Sequence, residues 1–412
     1  MIPISGEILM GKIRKNFLPS YNPSDSKFLR QHRGYQPDTD HFSKLGIDLK
    51  VCLNLQRKDD DLSKQATKWS YSKGACSSQF KDSGVNKLII LGMVEDVCES
   101  YDNLKTMINL TGLQNFNFAN AFDMKLANTF LGLSTAASSH PCPWCEQGKK
   151  DFANKDTFLT GGKLRTLSSI RENSLKYQTA AEKHKGKQKL SSAAFFNCEQ
   201  KPLCDLDGTT LVLDVLPPME LHLLLGVVNG LYDHLNDKLL EKNCSISAKN
   251  WSEPLGLKRS EHHGGQFNGN DCVTLLTHTQ SLEKLLGSVK ATFARPIVNV
   301  LQAFNEVKNA CFGNTLKANY KLAIKNFAYA YMLLGIRVTP KVHSIFVHVP
   351  QFLEKHQSSG KGLGYWSEQA SEAVHKDFEN IWSGSSYKRA MSHKDYPQQL
   401  LKCVVTYNSR HQ

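Results

Sequence analysis

Cys142-Pro-Trp-Cys145 and His343-Ser-Ile-Phe-Val-His348 constrain this chain more than any other feature. A Cys-x2-Cys turn can bring two thiolates to one tetrahedral ion. Two imidazoles five residues apart, on a helix or a turn, can face one ion as well. Two Cys and two His form a closed zinc site with no open coordination position, which is a structural site. Cys145 and His343 are 198 positions apart (343 − 145). The arrangement is therefore no zinc finger. It would be a staple fastening the two ends of a long intervening segment. In the competing reading His343 and His348 are ordinary packed or exposed histidines, and His140 and His356 are rival ligands.

The rest of the composition narrows the class. The chain has 412 residues, 51 Lys and Arg against 38 Asp and Glu, and a net charge of +13. A basic balance fits a polyanionic partner, because neutralising phosphates releases counterions. Eleven cysteines, an odd number spread widely, fit buried thiols plus a metal site in a reducing compartment rather than a disulfide framework. No run of eighteen apolar residues occurs, so no transmembrane helix is expected. Met1 to Met10 lack the basic-then-apolar order of a signal peptide, and an intracellular protein is expected.

Along the chain the pattern changes twice. Residues 1–48 are polar and read as an irregular segment. Leu49 to Leu55 and Leu88 to Val94 look like buried strands, a helix is expected over Asp102 to Leu113, and Phe116 to Phe122 alternates at period two as a half-buried strand would. That order predicts an α/β or mixed-sheet domain over 49–135. Lys149 to Lys189 holds eleven basic residues against four acids. It reads either as a solvated helix or loop, or as an arm contacting a DNA backbone, with Lys183, Lys185, Lys187 and Lys189 as the phosphate contacts. Leu211 to Leu334 is mostly helical, with one stripe of Leu221, Leu224, Leu225, Val228, Leu231 and Leu235 and a second of Val289, Phe293, Val300, Leu301 and Phe304. Residues 136–360 are thus expected as a helical insertion carrying the metal site. A core helix is expected within 361–395, and 396–412 as a tail.

Carboxylates offer a second constellation. Asp123 follows the alternating segment directly, and a carboxylate at a strand end points into the crevice where sites gather. Glu368, Glu372 and Glu379 share one helical face with His375. Such a face is commonly just solvated. It could also deliver a ligand for hard divalent cations, as two-ion phosphodiester cleavage requires.

Taken in order, these residues resemble the catalytic core of the V(D)J recombination-activating proteins and their Transib-type transposase relatives, across roughly residues 49 to 390. Asp123 resembles that family's second catalytic Asp, nineteen residues (142 − 123) before the first Cys of the Cys142/Cys145 pair. His343 and His348, followed by Val349-Pro350, resemble its His-x4-His-Val-Pro zinc motif. Pro217 to His222 with Gly226 resembles a family helix start, and Phe267 to Asn270 an element of its insertion. Trp366 to Glu372 resembles the segment with the catalytic Glu, placing that role on Glu372 with Glu368 as its rival.

The resemblance implies an RNase H-like mixed sheet core interrupted by a long, mainly α-helical, zinc-stapled insertion. It implies Mg2+ or Mn2+ for cleavage and strand transfer, double-stranded DNA as partner, a homodimer when active, and a nuclear location. No membrane and no small-molecule cofactor are expected. One departure stands out. The family's first catalytic Asp falls near Ser43 here, with Asp38, Asp40 and Asp48 close by and Asp48 the candidate. Three readings follow: an active acidic-triad recombinase, a catalytically inactive DNA-binding descendant, or a zinc-stabilised helical interaction module.

Overall fold

Apolar residues at helical spacing run through the chain and determine its architecture. The computed structural model describes residues 99–111, 121–184, 186, 188–204, 206–259, 265–366, 380–381, 403–404 and 406–407. Its main helices are α1 (Tyr101–Thr111), α2 (Met124–Phe130), α3 (Leu167–Lys183), α4 (Glu220–Glu241), α5 (Gly269–Thr277), α6 (Thr279–Ser288), α7 (Arg295–Val307), α8 (Tyr320–Leu334) and α9 (Pro340–Lys355). Among the described residues no helix is long and apolar enough to cross a membrane.

The chain divides into two units. One comprises Leu133–Lys201 and Asp207–Ser367 and contains α3 to α9. In it α4 packs against α5, α7 and α9, α7 against α8, and α8 against α9, so α4, α7, α8 and α9 close a ring around one core. The stripe on α4 is close to its sequence pattern. Leu224, Val228, Leu231 and Leu235 are buried, but Leu223 and Val227 replace Leu221 and Leu225 as their inner neighbours. In the second stripe Val300, Leu301 and Phe304 are buried on α7, whereas Phe293 precedes the helix and is exposed. The buried Asn229 on α4 accepts from Phe267 N at 2.8 Å and donates to Phe267 O at 3.3 Å, fixing the chain where it enters α5. Asn268 and Asp271 then form a reciprocal cap at the start of α5.

Aromatic rings tie three of these helices together. Phe304 of α7 meets Phe327 of α8 with ring centroids 4.9 Å apart, and Phe327 meets Phe346 of α9 at 5.7 Å. All three are buried. Truncating a core Phe removes its transfer energy and leaves a cavity. Phe327→Ala is therefore expected to cost about 3–5 kcal/mol. A urea unfolding midpoint within error of wild type would show that this cluster does not hold the unit.

The other unit includes α1, α2 and Pro202–Leu206. Leu104, Met107 and Ile108 are buried on α1, as the periodicity predicts. Leu203 N donates to Phe130 O at 2.8 Å, and Phe122 packs on Phe130 at 5.2 Å.

The expected mixed sheet is corrected by the structure. Among the described residues there is no β-strand, and extended pairing is limited to isolated bridges such as Cys145↔Leu164 and Thr166↔Leu211. The described fold is all-α, not an RNase H-like sheet core. The segments 49–55 and 88–94 lie outside the described residues, as do residues 116–120 of the alternating run. The part of that run that is described does not alternate. Ala121 and Phe122 are both buried, and the chain turns at once into α2.

Candidate metal centre

The cysteine turn is held by backbone pairing. Glu146 N donates to Lys163 O at 2.9 Å and Arg165 N to Trp144 O at 2.8 Å, either side of the Cys145↔Leu164 bridge. Trp144 closes the turn from outside, its Nε1 donating to Leu216 O at 2.6 Å. Between the two segments of this pairing the chain makes a loop whose Gly161 has φ +69°. A Cβ there would lie 2.6 Å from Val347 Cγ1 of α9. Glycine thus serves twice, for the left-handed backbone and for close approach to the helix.

Both histidines come from α9. Thr339 caps it by accepting from Val342 N, and Pro340 occupies its first turn. Every residue from Val342 to Val349 is buried, as expected of a helix enclosed on all sides. Positions 343 and 348 are about 140° apart around the axis at roughly 100° per residue, so their rings flank one sector. The rings meet edge to face, with centroids 5.1 Å apart and planes at 80°.

Cys142, Cys145, His343 and His348 come together, with one ligand atom from each all lying within 4.8 Å of one another. Cys142 Sγ is 3.2 Å from His348 Nε2, and Cys145 Sγ is 3.4 Å from His343 Nε2. A tetrahedral ion with bonds of about 2.3 Å to sulfur and about 2.0 Å to nitrogen sets such pairs about 3.5 Å apart. All four residues are buried. The group could hold a metal ion such as zinc, with no position left open. His348 Nδ1 lies 2.9 Å from Gln351 Oε1, so Nδ1–H donates there and Nε2 keeps its lone pair for the centre. Phe152 stacks on His343 at 4.0 Å with planes 5° apart.

Electrostatics fit a cation. The hydrogen bond from Cys142, with further ones from His343 and His348, holds Cys145 far below the ordinary thiol range despite its burial. Burial, and then the neighbouring Cys145, push Cys142 up. Binding a cation would displace the thiol protons. Burial also lowers the pKa of His343 and keeps it neutral. In the unfolded chain a histidine titrates near 6.5. Below that value the unfolded state binds a proton that the folded state rejects, so stability is lost as pH falls. The metal-free protein is expected to show falling urea midpoints as pH drops below about 6.5, with a smaller fall in His343→Phe. Identical slopes in both proteins would remove His343 as the cause.

Sequence reasoning missed Arg165. It is fully buried, and its guanidinium is spent on the cysteine turn. Nε donates to Cys142 O at 3.2 Å and to Cys145 O at 3.0 Å. Nη2 donates to Phe196 O at 2.9 Å. Phe196 and the next residue, Asn197, both have positive φ, 51° and 63°. That is an uncommon conformation for residues other than glycine. Arg165 thus braces both ligand-bearing carbonyls against a strained turn. Nothing local signals this, because apart from Cys198 Sγ, 3.5 Å from Nη1, its partners are backbone oxygens.

Among the described residues, none of the remaining candidates joins this group. Asp123 caps α2, accepting from Leu126 N at 2.7 Å, and does not end a strand. Glu372, Glu368 and Asp48 lie outside the described residues. His140 packs on Phe196, and His356 ends α9 against Phe352 and Trp366, so neither rival joins the group. In the basic stretch Arg165 is internal, Lys189 pairs with Glu199 at 2.5 Å, and Lys185 and Lys187 lie outside the described residues. No protein-family model matches the chain, and no curated protein matches it.

Proposed function

We propose that this chain is a double-stranded DNA-binding protein of recombinase descent, related to the V(D)J recombination-activating and Transib-type proteins, in which a structural zinc pins the helical unit. One observation carries the reading. The four residues that the resemblance named as zinc ligands, two pairs separated by 198 positions, lie within 4.8 Å of one another. Chance rarely brings two Cys and two His at those spacings into one buried group. The charge of +13 supports a polyanionic partner. Nuclear residence and pairing of two chains follow from such a substrate.

The stronger form of the reading is phosphodiester cleavage with Mg2+ or Mn2+, using Asp123, Glu372 or Glu368, and Asp48. A specific observation favours the weaker, catalytically silent form: the Asp123 side chain is engaged as a helix cap. Two substitutions separate the roles. Asp123→Ala should cost about 1 kcal/mol by removing the cap. Asp123→Asn should retain stability, since Asn caps as well as Asp. If the protein cleaves DNA, Asp123→Asn should abolish Mn2+-dependent nicking of a duplex at unchanged stability. If it is silent, wild type should bind duplex with steep salt dependence and nick nothing. Absence of duplex binding even at low salt would end the DNA reading.

A further inference from the structure

α7 does not end in an ordinary turn. It runs into a π-helical turn, Lys308–Phe312, a feature frequent at functional sites. The chain after it is stitched to the segment 360–364. Leu316 N donates to Gly360 O at 2.9 Å, Gly362 N to Asn314 O at 3.0 Å, and Gly364 N to Gly313 O at 3.2 Å. Thr315 and Lys361 face each other in an isolated bridge. The two backbones touch so closely that a Cβ on Gly362 would fall 2.2 Å from Gly313 O. Lys317 N also returns to Ala310 O at 2.9 Å, folding the loop back on the π turn. The result is a braced corner that carries three lysines.

Those lysines are placed at a cost. Lys308 is half-buried, its Nζ bonded to the neutral Asn309 Oδ1 at 3.0 Å. Burial, and then repulsion from Lys317, lower its pKa. Lys317 and Lys361 are exposed, and the Lys361 ammonium sits 4.7 Å over the Tyr365 ring. Lys308 and Lys317 repel each other on a braced backbone, and Lys361 stands on the segment bridged to Thr315, so the corner offers three cations on two stitched segments to an anion. Lysine suits phosphate as a compact point charge.

We infer that the corner formed by Lys308, Lys317 and Lys361 is a contact site for the phosphodiester backbone of duplex DNA. The site lies outside the Lys149 to Lys189 stretch that composition singles out. It rests on the DNA-binding reading above and gives that reading a surface. Contacts of this kind position the protein on DNA without reading its sequence.

The test is the salt dependence of binding to a labelled DNA duplex of mixed sequence, measured on the whole chain by fluorescence anisotropy. Each lost lysine–phosphate contact reduces the slope of log affinity against log salt by about 1. The variant Lys308→Gln, Lys317→Gln, Lys361→Gln should therefore show a slope shallower by about 2–3. A control with equal charge loss, Lys242→Gln, Lys249→Gln, Lys284→Gln, all exposed and outside both the corner and the Lys149 to Lys189 stretch, should keep the wild-type slope. The double variant Lys317→Gln, Lys361→Gln spares the half-buried residue and should lose about 2. If wild type binds and the corner variants keep its slope, or lose no more than the control, the corner is not the site and the DNA reading stands. If wild type does not bind duplex at all, both fall together.

Discussion

Cys145→Ser is expected to strip the metal from the protein and to lower the stability of the helical unit by several kcal/mol. Wild type should carry one zinc per chain and the variant far less. The stability effect follows from linkage. The unfolded chain cannot assemble this site: closing a loop across 198 residues costs about 5 kcal/mol in chain entropy before any bond to metal forms. The ion therefore binds the folded state alone. At free zinc a thousandfold above its dissociation constant, that contributes about 4 kcal/mol. For a unit of this size each kcal/mol moves the melting temperature by about 2–4 °C. A chelator should lower wild type toward the variant and leave the variant unmoved. Equal zinc in the two proteins would sink the four-ligand assignment. Equal zinc loss without any change in melting would show that the α4–α9 core, not the staple, carries the stability.

Arg165→Met is expected to be the most damaging substitution outside the ligands themselves. It removes the donors to Cys142 O, Cys145 O and Phe196 O while leaving those oxygens in place. Each buried carbonyl left without a partner costs about 1–3 kcal/mol. Methionine occupies a similar volume, so the loss is one of hydrogen bonds rather than packing. Because both bridged carbonyls belong to ligand residues, metal affinity should also fall by about 10–100-fold, the usual consequence of losing a group that orients a ligand. Arg165→Lys separates charge from shape. A lysine keeps the cation but has no planar fork to span three carbonyls, so it should fail nearly as badly. Competition with a chromophoric chelator reads the affinity, and urea unfolding in chelator reads the stability of the metal-free state. Wild-type affinity in Arg165→Lys would mean that positive charge alone is required. Wild-type affinity in both would mean that the turn holds itself.

These two sites show how unevenly the molecule can be read from its residues. Cys142, Cys145, His343 and His348 are recognisable because each pair keeps a short, characteristic spacing, and short spacings survive folding unchanged. The helices are recognisable for a related reason. Burial of Leu224, Val228, Leu231 and Leu235 on α4, or of Leu104, Met107 and Ile108 on α1, is set by a local period that the side chains carry themselves. The cap at Thr339-Pro340 is equally local.

The rest depends on what lies across the fold. Asp123 was expected to end a strand and instead starts α2, because the same short polar side chain serves both places and only the following residues decide between them. Lys189 belongs to a basic run, yet its charge is spent on Glu199, ten positions away. Arg165 looks like another member of that run and is fully buried. Its oxygen partners are backbone carbonyls, which every residue owns and none advertises. The corner at Lys308, Lys317 and Lys361 exists only because two glycine-lined backbones cross there. Alone, the sequence carried the helical periodicities and the short spacings of the two Cys and two His that converge into a group able to hold a metal. Tertiary structure decided which charges are internal, which are displayed, and that the described residues form helices rather than a sheet. The physical reason is range: periodicity and spacing act over one or two turns, whereas burial and charge pairing depend on segments hundreds of positions apart.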